Sequence, residues 1–286
     1  MAAPAAPEGA RGLGQSACYV YGIVPADVDR TGDVRGVGDP PARVQLVRHG
    51  GLGALVSAVD LPGRLGTPED LQAHAQILDA TAVEVPVLPL QFGTVMATEE
   101  AVAGELLAVY QEAFAAALKQ FEGRAQYVVK GRYVEQAVLA EALEEIPEAA
   151  RLREQIRGKN PAATRQARIR LGEIINNAIT AKRAADTRAL GEVAAPCCVA
   201  GVVREPTHEL DAVHVALLVE TSRRDDLEQA LSDLASDWEG RIGIRLLGPM
   251  APYDFTTTSM LQAPHTRNHQ ATMHDLRALE SPRPNA

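Results

Sequence analysis

Residues 126–134 read QYVVKGRYV, and this stretch decides how the chain is organised. Its alternation of residue types predicts a strand. The strand follows Gly123, where a long helical pattern ends. A second structural unit therefore begins here, and a chain of 286 residues has the length for two domains.

The segments after this strand follow a recognisable order. A helical pattern covers about residues 135–190, with breaks near Pro147 and near Gly158 to Pro161. The later segments are strand, strand, helix and strand, and they read CCVAGVVR, AVHVALLVE, DDLEQALSDLASDW and RIGIRLLGP. The order β, α, β, β, α, β predicts a ferredoxin-like domain over residues 123–258, with extra helices inserted in its first crossover.

The N-terminal half also mixes strands and helices, in an order that fits no named plan. ACYVYGIV is a strand, and VQLVRHGGLGALVSAVD holds two strands joined at a glycine-containing turn. The TPED sequence that begins at Thr67 predicts the start of a helix. Helical spacing predicts that this helix buries Leu71, Ala75 and Leu78. Together these features predict an N-terminal α+β domain over residues 17–122.

A second helix in this half begins at Thr98, which caps the sequence TEEAVAGELLAVYQEAFAAALKQF. Apolar residues at helical spacing predict one continuous helix. Its expected buried stripe consists of Val102, Leu106, Val109, Ala113 and Ala117. At the two ends of the chain, residues 1–16 are rich in Ala, Pro and Gly and predict a disordered leader, and the polar residues 259–286 predict a tail.

Residues 85–98, VPVLPLQFGTVMAT, join the two helices and are almost wholly apolar. Pro86 and Pro89 cannot donate to a sheet ladder, so the segment is expected to be an edge strand or an extended loop. Most apolar segments pack inward, and this one is expected to do the same. His74, on the preceding helix, is expected to be half-buried and to support the segment.

Composition and charge exclude several classes of protein. No apolar run reaches the roughly 20 residues that span a bilayer, and the N-terminal sequence lacks the pattern of a signal peptide. The three cysteines form no disulfide framework, which favours a cytoplasmic protein. The net charge of −9 argues against a general nucleic-acid binder.

The charge is unevenly distributed along the chain. Between Arg151 and Gly191 there are ten lysines and arginines against three acidic residues, a local balance of +7. This region contains Arg165 and Arg168, and it either binds an acidic surface or forms a solvated, salt-bridged helical face. Both readings fit the sequence.

Signatures of catalysis are missing from the sequence. The HGGLG sequence at residues 49–53 lacks the Lys-Ser/Thr of a phosphate-binding loop, and no GxSxG elbow is present. His265 and His269 have helical spacing, but no glutamate or cysteine near them completes a zinc site. The sequence therefore predicts no catalytic residue, no metal and no cofactor. The enzyme alternative is a cleft lined by Tyr21, His74 and Arg132.

Three motifs resemble those of the gas vesicle protein F/L family. They are YVYGIV near the start, AHAQILDATAVEVPVLPLQFGTVMATEEAV in the middle and LLGPMAPYDF near the end. They occur in the family's order and extend over nearly all of residues 18–257. Gln91 stands where the family usually has arginine, and Met250 where it often has tryptophan. The loss of the arginine removes a charged donor that could bridge acids.

The resemblance implies an accessory protein of gas vesicle formation in a prokaryotic cytoplasm, associated with the vesicle during assembly. Its implied partners are the small hydrophobic major shell protein and other accessory proteins, with no nucleic acid or membrane. An RNA-binding module is a further alternative, although the strand that ends at Arg204 lacks the aromatic residues on which bases stack. The candidate partner-binding residues are Tyr19, Tyr21, His74, Pro86, Pro89, Gln91, Phe92, Gly93, Thr94, Arg165, Arg168, Pro249, Pro252, Tyr253 and Phe255.

Overall fold

The computed structural model describes residues 15–28, 34–61 and 65–256. The chain divides into two compact units, Met1–Glu122 and Gly123–Ala286, called here the first and the second unit. The predicted tail at residues 259–286 lies outside the described residues, as does most of the predicted leader. Gln15 and Ser16 are the exception, because both belong to a strand and pair with Leu61 and Asp60.

An antiparallel sheet forms the centre of the first unit. Its strands are β1 (Gln15–Pro25), β2 (Gln45–His49), β3 (Leu52–Leu61), β4 (Leu88–Pro89) and β5 (Val95–Met96). The order is β2-β3-β1-β4, and β5 also pairs with β1. The central strand β1 therefore bonds to β3 on one side and to both short strands of the 85–98 segment on the other. Pro89 lies on the edge strand β4, which confirms the edge-strand prediction.

Helix α1 (Pro68–Glu84) begins as predicted, because Thr67 and Asp70 form a reciprocal capping box. Of the predicted buried stripe, Leu78 is buried and Ala75 is half-buried, but Leu71 is 51% exposed, so that part of the prediction is wrong. The buried residues are Asp70, His74, Ile77, Leu78 and Thr81. The inward face thus carries three polar side chains, whose hydrogen-bond partners offset the cost of burial.

The predicted long helix from Thr98 is not continuous. It consists of α2 (Glu99–Ala101), a π-helical stretch over Val102–Leu107 and α3 (Gln111–Phe121), with a bend of 84° before α3. Among the described residues, no single helix meets the length and hydropathy expected of a membrane span, although the two bent segments together pass that test.

The break in this helix shifts the buried stripe. In the π-helical stretch the N–H of Ala108 bonds to the carbonyl of Ala103, five residues back, so later side chains rotate to another face. Val102 and Leu106 are buried as expected, but Val109 is 65% exposed. In α3 the buried residues are Phe114, Leu118 and Phe121 rather than the predicted Ala113 and Ala117.

The second unit contains a four-stranded antiparallel sheet of order β7-β8-β6-β9. Its strands are β6 (Arg124–Tyr133), β7 (Cys198–Val203), β8 (Asp211–Glu220) and β9 (Ile242–Met250). Its helices are α4 (Glu135–Glu145), α5 (Pro147–Ile156), α6 (Arg165–Ala194) and α7 (Arg224–Asp237). The predicted helix breaks near Pro147 and near residues 158–161 are both confirmed.

The two faces of this sheet are covered differently. On one face, Tyr127, Val129 and Tyr133 of β6 pack with apolar residues of α6 and α7 in the main core. On the other face, Val128, Val202 and Ala216 form a small core under Met250 and Phe255. The alternation of β6 separates these two sets, as period-two patterning requires.

Candidate functional site

Four ring-bearing side chains from three distant parts of the first unit meet in one cluster. Tyr19 and Tyr21 come from β1, His74 from α1 and Phe92 from the 85–98 segment. The ring centroids of Tyr19 and Tyr21 are 4.8 Å apart, and His74 stacks on Tyr21 at 5.7 Å. Phe92 contacts Tyr19 and His74 edge-on at 5.9 and 5.5 Å. The structure therefore brings together residues from two of the sequence motifs.

A chain of hydrogen bonds passes through this cluster. The backbone N–H of Gly93 donates to the Tyr19 hydroxyl over 3.0 Å, and that hydroxyl lies 3.0 Å from the Nδ1 atom of His74. His74 also bonds to the backbone of Leu90. The consistent arrangement has Tyr19 donating to Nδ1 and the opposite ring nitrogen donating to the Leu90 carbonyl. His74 thus links the central strand to the Leu90–Gly93 turn.

Tyr21 makes a second set of polar contacts, separate from those of Tyr19. Its hydroxyl lies 2.8 Å from the Ser57 hydroxyl and accepts the backbone N–H of Val37 over 2.8 Å. A Cβ atom at Gly36 would collide with the Tyr21 hydroxyl and would lie 2.6 Å from the Ser57 hydroxyl. Only glycine fits at residue 36 without displacing this contact.

The ionisation of the cluster is set mainly by burial. Burial lowers the pKa of His74 to about 4, although the bond to Leu90 acts in the opposite direction. Burial also raises the pKa of both Tyr19 and Tyr21. At neutral pH all three groups are therefore uncharged. A neutral, fully bonded histidine next to un-ionised phenols acts as a structural link between strand, helix and turn.

The 85–98 segment is held to β1 along most of its length. Val87, Leu88, Pro89 and Leu90 are buried, which confirms that the segment packs inward. The N–H of Leu90 donates to the Tyr21 carbonyl, and the N–H of Val20 donates to the Thr94 carbonyl, both over 2.9 Å. Between these two bonds Gln91 is exposed and Phe92 is half-buried, and Pro86, before the buried run, is half-buried as well.

The turn at Gln91–Thr94 depends on Gly93. Thr94 donates through both its backbone N–H and its hydroxyl to the Gln91 carbonyl, over 3.2 and 2.7 Å. Gly93 lies in the left-handed region with φ +89°. This backbone conformation directs the Gly93 N–H at Tyr19, and it explains why the sequence has Phe-Gly-Thr here.

The buried carboxylate of Asp70 anchors the N-terminal end of α1. One oxygen of Asp70 accepts the N–H of Gly38 over 2.8 Å, and the other accepts the N–H groups of Gly66 and Thr67. Burial acts to raise the pKa of Asp70, but the hydrogen bonds from Gly38 and Thr67 outweigh it, so the pKa is lowered. The sequence predicted the helix start but not the bond to Gly38.

The third motif, near the end of the described chain, forms a cluster in the second unit. Asp254 accepts hydrogen bonds from Gln126 over 2.6 Å and from both Nε and Nη2 of Arg204. The Asp254 N–H donates to the Gln126 side chain over 2.9 Å. Phe255 packs on the small core with Met250.

Sequence reasoning named Pro249, Pro252, Tyr253 and Phe255 in this motif but missed its polar centre. Pro249 belongs to β9, and Pro252 precedes a short 3-10 turn over Tyr253–Phe255. Asp254, which lies between Tyr253 and Phe255, is the one residue of the motif that could have indicated this polar centre from the sequence. Its partners Gln126 and Arg204 are distant in sequence and carry no local mark.

A second polar network in this unit was also missed. Arg241 binds Asp186 through two bonds of 2.8 and 2.9 Å and binds Glu141 over 2.8 Å. The Tyr133 hydroxyl donates to the same carboxylate of Asp186. Burial and the bond to Asp186 raise the pKa of Tyr133. This network joins β6, α4, α6 and the start of β9.

Part of the basic region, residues 151–191, makes contacts with other residues of the same unit. Lys182 pairs with Glu141 and Glu145 at 2.9 and 2.7 Å, and Arg183 donates to the carbonyl of Asp211. Arg165 and Arg168, at the start of α6, are both exposed. Arg168 donates to the Thr164 hydroxyl over 3.1 Å. The later part of the region is thus a salt-bridged face, and its N-terminal part is solvent-exposed.

The residues of the enzyme alternative do not all belong to one unit. Tyr21 and His74 contact each other in the first unit, whereas Arg132 belongs to β6 of the second and pairs with Asp211 at 3.7 Å. Over the described ranges, no group of three or more His, Cys, Asp and Glu side chains is arranged to hold a metal ion. His265, His269 and His274 lie outside those ranges.

Comparison with known proteins places this geometry in context. The family model described as gas vesicle synthesis protein GvpL/GvpF matches residues 17–257. A relative named gas vesicle protein F from Streptomyces sp. (strain CB03234) is 30% identical over 242 residues, which is 83% of this chain and 98% of the relative. A gas vesicle protein F from Nostoc sp. is 23% identical over 246 residues, 85% of this chain and 99% of the relative.

Two solved structures have a similar fold. The crystal structure of GvpF from Anabaena sp. PCC7120 superposes with a TM-score of 0.69 at 22% identity, and it covers 87% of this chain and 100% of that chain. GvpF from Microcystis aeruginosa gives a TM-score of 0.68 at 20% identity, with coverage of 84% and 99%. The α+β architecture with two antiparallel sheets is therefore shared with both.

Proposed function

Because the chain belongs to the gas vesicle synthesis protein GvpL/GvpF family, we propose that it is an accessory protein that binds the major gas vesicle shell protein and other accessory proteins during assembly. The gas vesicle accessory role follows from the family, and the binding of particular partners is the proposal. We propose that the protein acts in the cytoplasm, at the growing gas vesicle.

One observation carries the proposal beyond family membership. The residues that make the sequence resemble the family, Tyr19, His74 and Gly93, join in one hydrogen-bonded cluster. The cluster is neutral and almost wholly internal, so its contribution is to hold the 85–98 segment in shape. Such a brace supports a binding protein, because a preformed surface avoids the cost of ordering on association.

We place the shell-binding surface beside this brace. Pro86 and Phe92, near the exposed Gln91, are half-buried, so their side chains keep some apolar surface in contact with solvent. Val83, two residues before the segment, is 65% exposed. An apolar surface of this kind suits a partner that is itself hydrophobic and must be shielded before it polymerises.

The domain organisation enters the proposal as well. We propose that residues 17–122 form an N-terminal α+β domain and that residues 123–258 form a ferredoxin-like domain with inserted helices. The strand order β7-β8-β6-β9, all antiparallel, supports the second assignment, as does the βαββαβ sequence of elements when the inserted helices count as part of the first crossover.

Co-expression with the shell protein tests the proposal directly. Tagged wild-type protein is expected to retain the shell protein on affinity resin and to increase its soluble fraction. Val83→Asp is expected to reduce both, and Val109→Asp is the matched control because Val109 is equally exposed. If the wild-type protein neither retains the shell protein nor changes its solubility, the proposal is wrong. Equal effects of the two substitutions would move the surface away from Val83.

A further inference from the structure

One face of the sheet in the second unit carries a row of basic side chains. Lys130 on β6 lies directly opposite both His214 on β8 and Arg245 on β9 in the strand register. Arg204 extends the row, since its N–H donates to the His214 carbonyl over 2.8 Å and its Nη1 lies 3.5 Å from the His214 Nε2. Directly opposed residues of antiparallel strands project from the same face. We call Arg204, His214, Lys130 and Arg245 the basic row.

The basic row is electrostatically unfavourable for this unit alone. Like charges that stand directly opposite each other on a sheet repel, and Lys130 and Arg245 are in that position. The positive charges of this row also act on His214. Burial lowers the pKa of His214 most, and the charges of Lys130 and Arg204 lower it further. Lys130 and Arg245 are exposed, so core packing does not require a cation at either position.

Acidic side chains balance only part of this face. Asp254 pairs with Arg204, and Asp211 pairs with Arg132, the next residue of β6 on this face after Lys130. Within the described parts of the chain, no ion pair joins Lys130 or Arg245 to a carboxylate. The half of the row on β6 and β9 therefore keeps its positive charge.

The chain itself shows what kind of segment fits this face. Next to the basic row runs an apolar row, in which Val202, Ala216, Val128 and Leu247 stand opposite one another in register. The Tyr253–Phe255 turn covers much of it, with Phe255 on the apolar row and the Asp254 carboxylate on Arg204. An acidic residue beside an aromatic one thus satisfies both rows at once.

The same pair of features continues on β9, where the described residues leave it exposed. Leu247 is 43% exposed and lies two positions from Arg245, about 7 Å along the strand. We propose that the surface formed by Lys130, Arg245 and Leu247 binds a segment of a partner protein in which carboxylates stand beside aliphatic or aromatic side chains. The inference rests on the proposed function only in taking the partner to be a protein of the assembly.

The chemistry of this surface favours an acidic protein segment over a nucleic acid. The whole chain has a net charge of −9, which opposes the approach of a long polyanion. A short segment with a few carboxylates experiences mainly the local positive charge. The exposed Leu247 adds apolar area that a phosphate backbone would leave unused.

The test uses a fluorescein-labelled peptide that alternates glutamate and leucine, titrated with the full-length protein and followed by fluorescence anisotropy. Matched probes alternate glutamine and leucine, or are a single-stranded oligonucleotide. We expect binding of the glutamate peptide that weakens as salt is added, and weaker binding of both other probes. Lys130→Glu with Arg245→Glu is expected to weaken glutamate-peptide binding by at least about tenfold.

Two controls separate this surface from net charge and from misfolding. Arg43→Glu with Lys119→Glu changes the net charge equally at exposed residues of the first unit, and it is expected to change binding by less than about twofold. Lys130→Thr removes one side of the opposed pair. It is expected to weaken binding while raising the melting temperature by about 1–3 °C, because repulsion is relieved.

Several results would overturn the inference: no binding of the glutamate peptide, equal binding by the two double variants, or tighter binding of the oligonucleotide. Each of these leaves the shell-protein co-expression result intact, because that experiment varies Val83 in the first unit. If the co-expression experiment fails but the glutamate peptide binds, the shell protein is rejected as a partner. The proposed surface at Lys130, Arg245 and Leu247 is then retained.

Discussion

The hydroxyl of Tyr19 lies 3.0 Å from Nδ1 of His74, although 55 residues separate them in the chain. The same hydroxyl accepts the N–H of Gly93. One oxygen atom therefore connects the central strand, the first long helix and the turn of the 85–98 segment. The two residues belong to separate sequence motifs, and this contact gives a physical reason for both.

Removing the Tyr19 hydroxyl is expected to destabilise the first unit. Tyr19→Phe leaves Nδ1 of the buried His74 without its partner and removes the acceptor of the part-buried bond from Gly93, which costs about 1–3 kcal/mol of unfolding free energy. Urea denaturation measures the loss. Tyr110→Phe is the control, because Tyr110 is half-buried in the same unit and takes no part in this network. Equal stability of Tyr19→Phe and the wild type would contradict the role of this bond.

His74 is expected to make stability depend on pH in a defined window. Its pKa falls from 6.5 to about 4 in the folded protein, so the unfolded chain binds the proton more readily. The stabilisation is complete above pH 6.5 and is lost as the pH falls from 6.5 towards 4. The loss amounts to up to about 3 kcal/mol.

The measurement is the unfolding free energy from denaturant titrations across that window. Carboxylates titrate there as well, so the informative quantity is the difference between the wild type and His74→Gln. That difference is expected to shrink as the pH falls. His49→Gln, at the end of β2 and outside the cluster, should leave the wild-type slope unchanged. A difference that is constant with pH would show that His74 is not held neutral by burial.

Asp254 is expected to hold the last motif on the sheet. Asp254→Asn removes the charge that binds Arg204 and weakens the bond to Gln126, at a cost of about 1–3 kcal/mol locally. Amide hydrogen exchange of residues 250–256 should accelerate before that of β6 and β8. Asp233→Asn is the control, because Asp233 is exposed and accepts an exposed hydrogen bond from Gln229. Unchanged exchange at residues 250–256 would refute the anchor.

Asp186 is expected to be the most sensitive residue of the second network. Asp186→Asn leaves Arg241 without its two charge-assisted bonds and changes the partner of the Tyr133 hydroxyl. The side chain of Asp186 is 10% exposed, so the loss should reach about 2–4 kcal/mol. Asp226→Asn, in the exposed pair with Arg223, should cost no more than about 0.5 kcal/mol in the same denaturation assay. Similar losses for the two variants would argue against the network.

The exposed start of α6 gives a prediction about partners. Arg165→Glu with Arg168→Glu is expected to reduce the amount of co-purified gas vesicle proteins by severalfold if this surface meets an acidic partner. The reduction should be smaller in high salt, where the wild type also binds less. Arg43→Glu with Lys119→Glu again matches the change in charge. If the amount of co-purified proteins is unchanged, these arginines form a solvated face and do not bind a partner.

The comparison between sequence and structure is clearest in α1. Thr67, Pro68 and Asp70 marked the start of this helix correctly, because capping uses neighbours in the chain. The buried face was predicted only in part: Leu78 and His74 face inward, but Leu71 is exposed and Asp70 is buried. Hydrophobic periodicity assumes that polar side chains face water. Here they face inward because Gly38 and Tyr19 supply hydrogen bonds that the helix sequence does not reveal.

The break in the helix after Thr98 has a similar cause. Local propensity favours a continuous helix through this Ala-rich sequence. The structure interrupts it with a π-helical stretch and an 84° bend, which turn Phe114, Leu118 and Phe121 into the core. A choice between a straight and a bent helix depends on where the core lies, and helical spacing within the segment does not contain that information.

For this protein, the sequence by itself determined the family, the order of nearly all strands and helices, the exclusion of the proline-bearing segment from the centre of a sheet and several residues of the aromatic cluster. These features depend on local patterns or on residues quoted directly from the motifs. Only the tertiary structure decided how the motifs meet. It identified Ser57 and Gly36 beneath Tyr21, Gln126 and Arg204 around Asp254, and the opposed cations Lys130 and Arg245. Such contacts join residues far apart in the chain, and a one-dimensional pattern has no means of recording which distant side chains share a face.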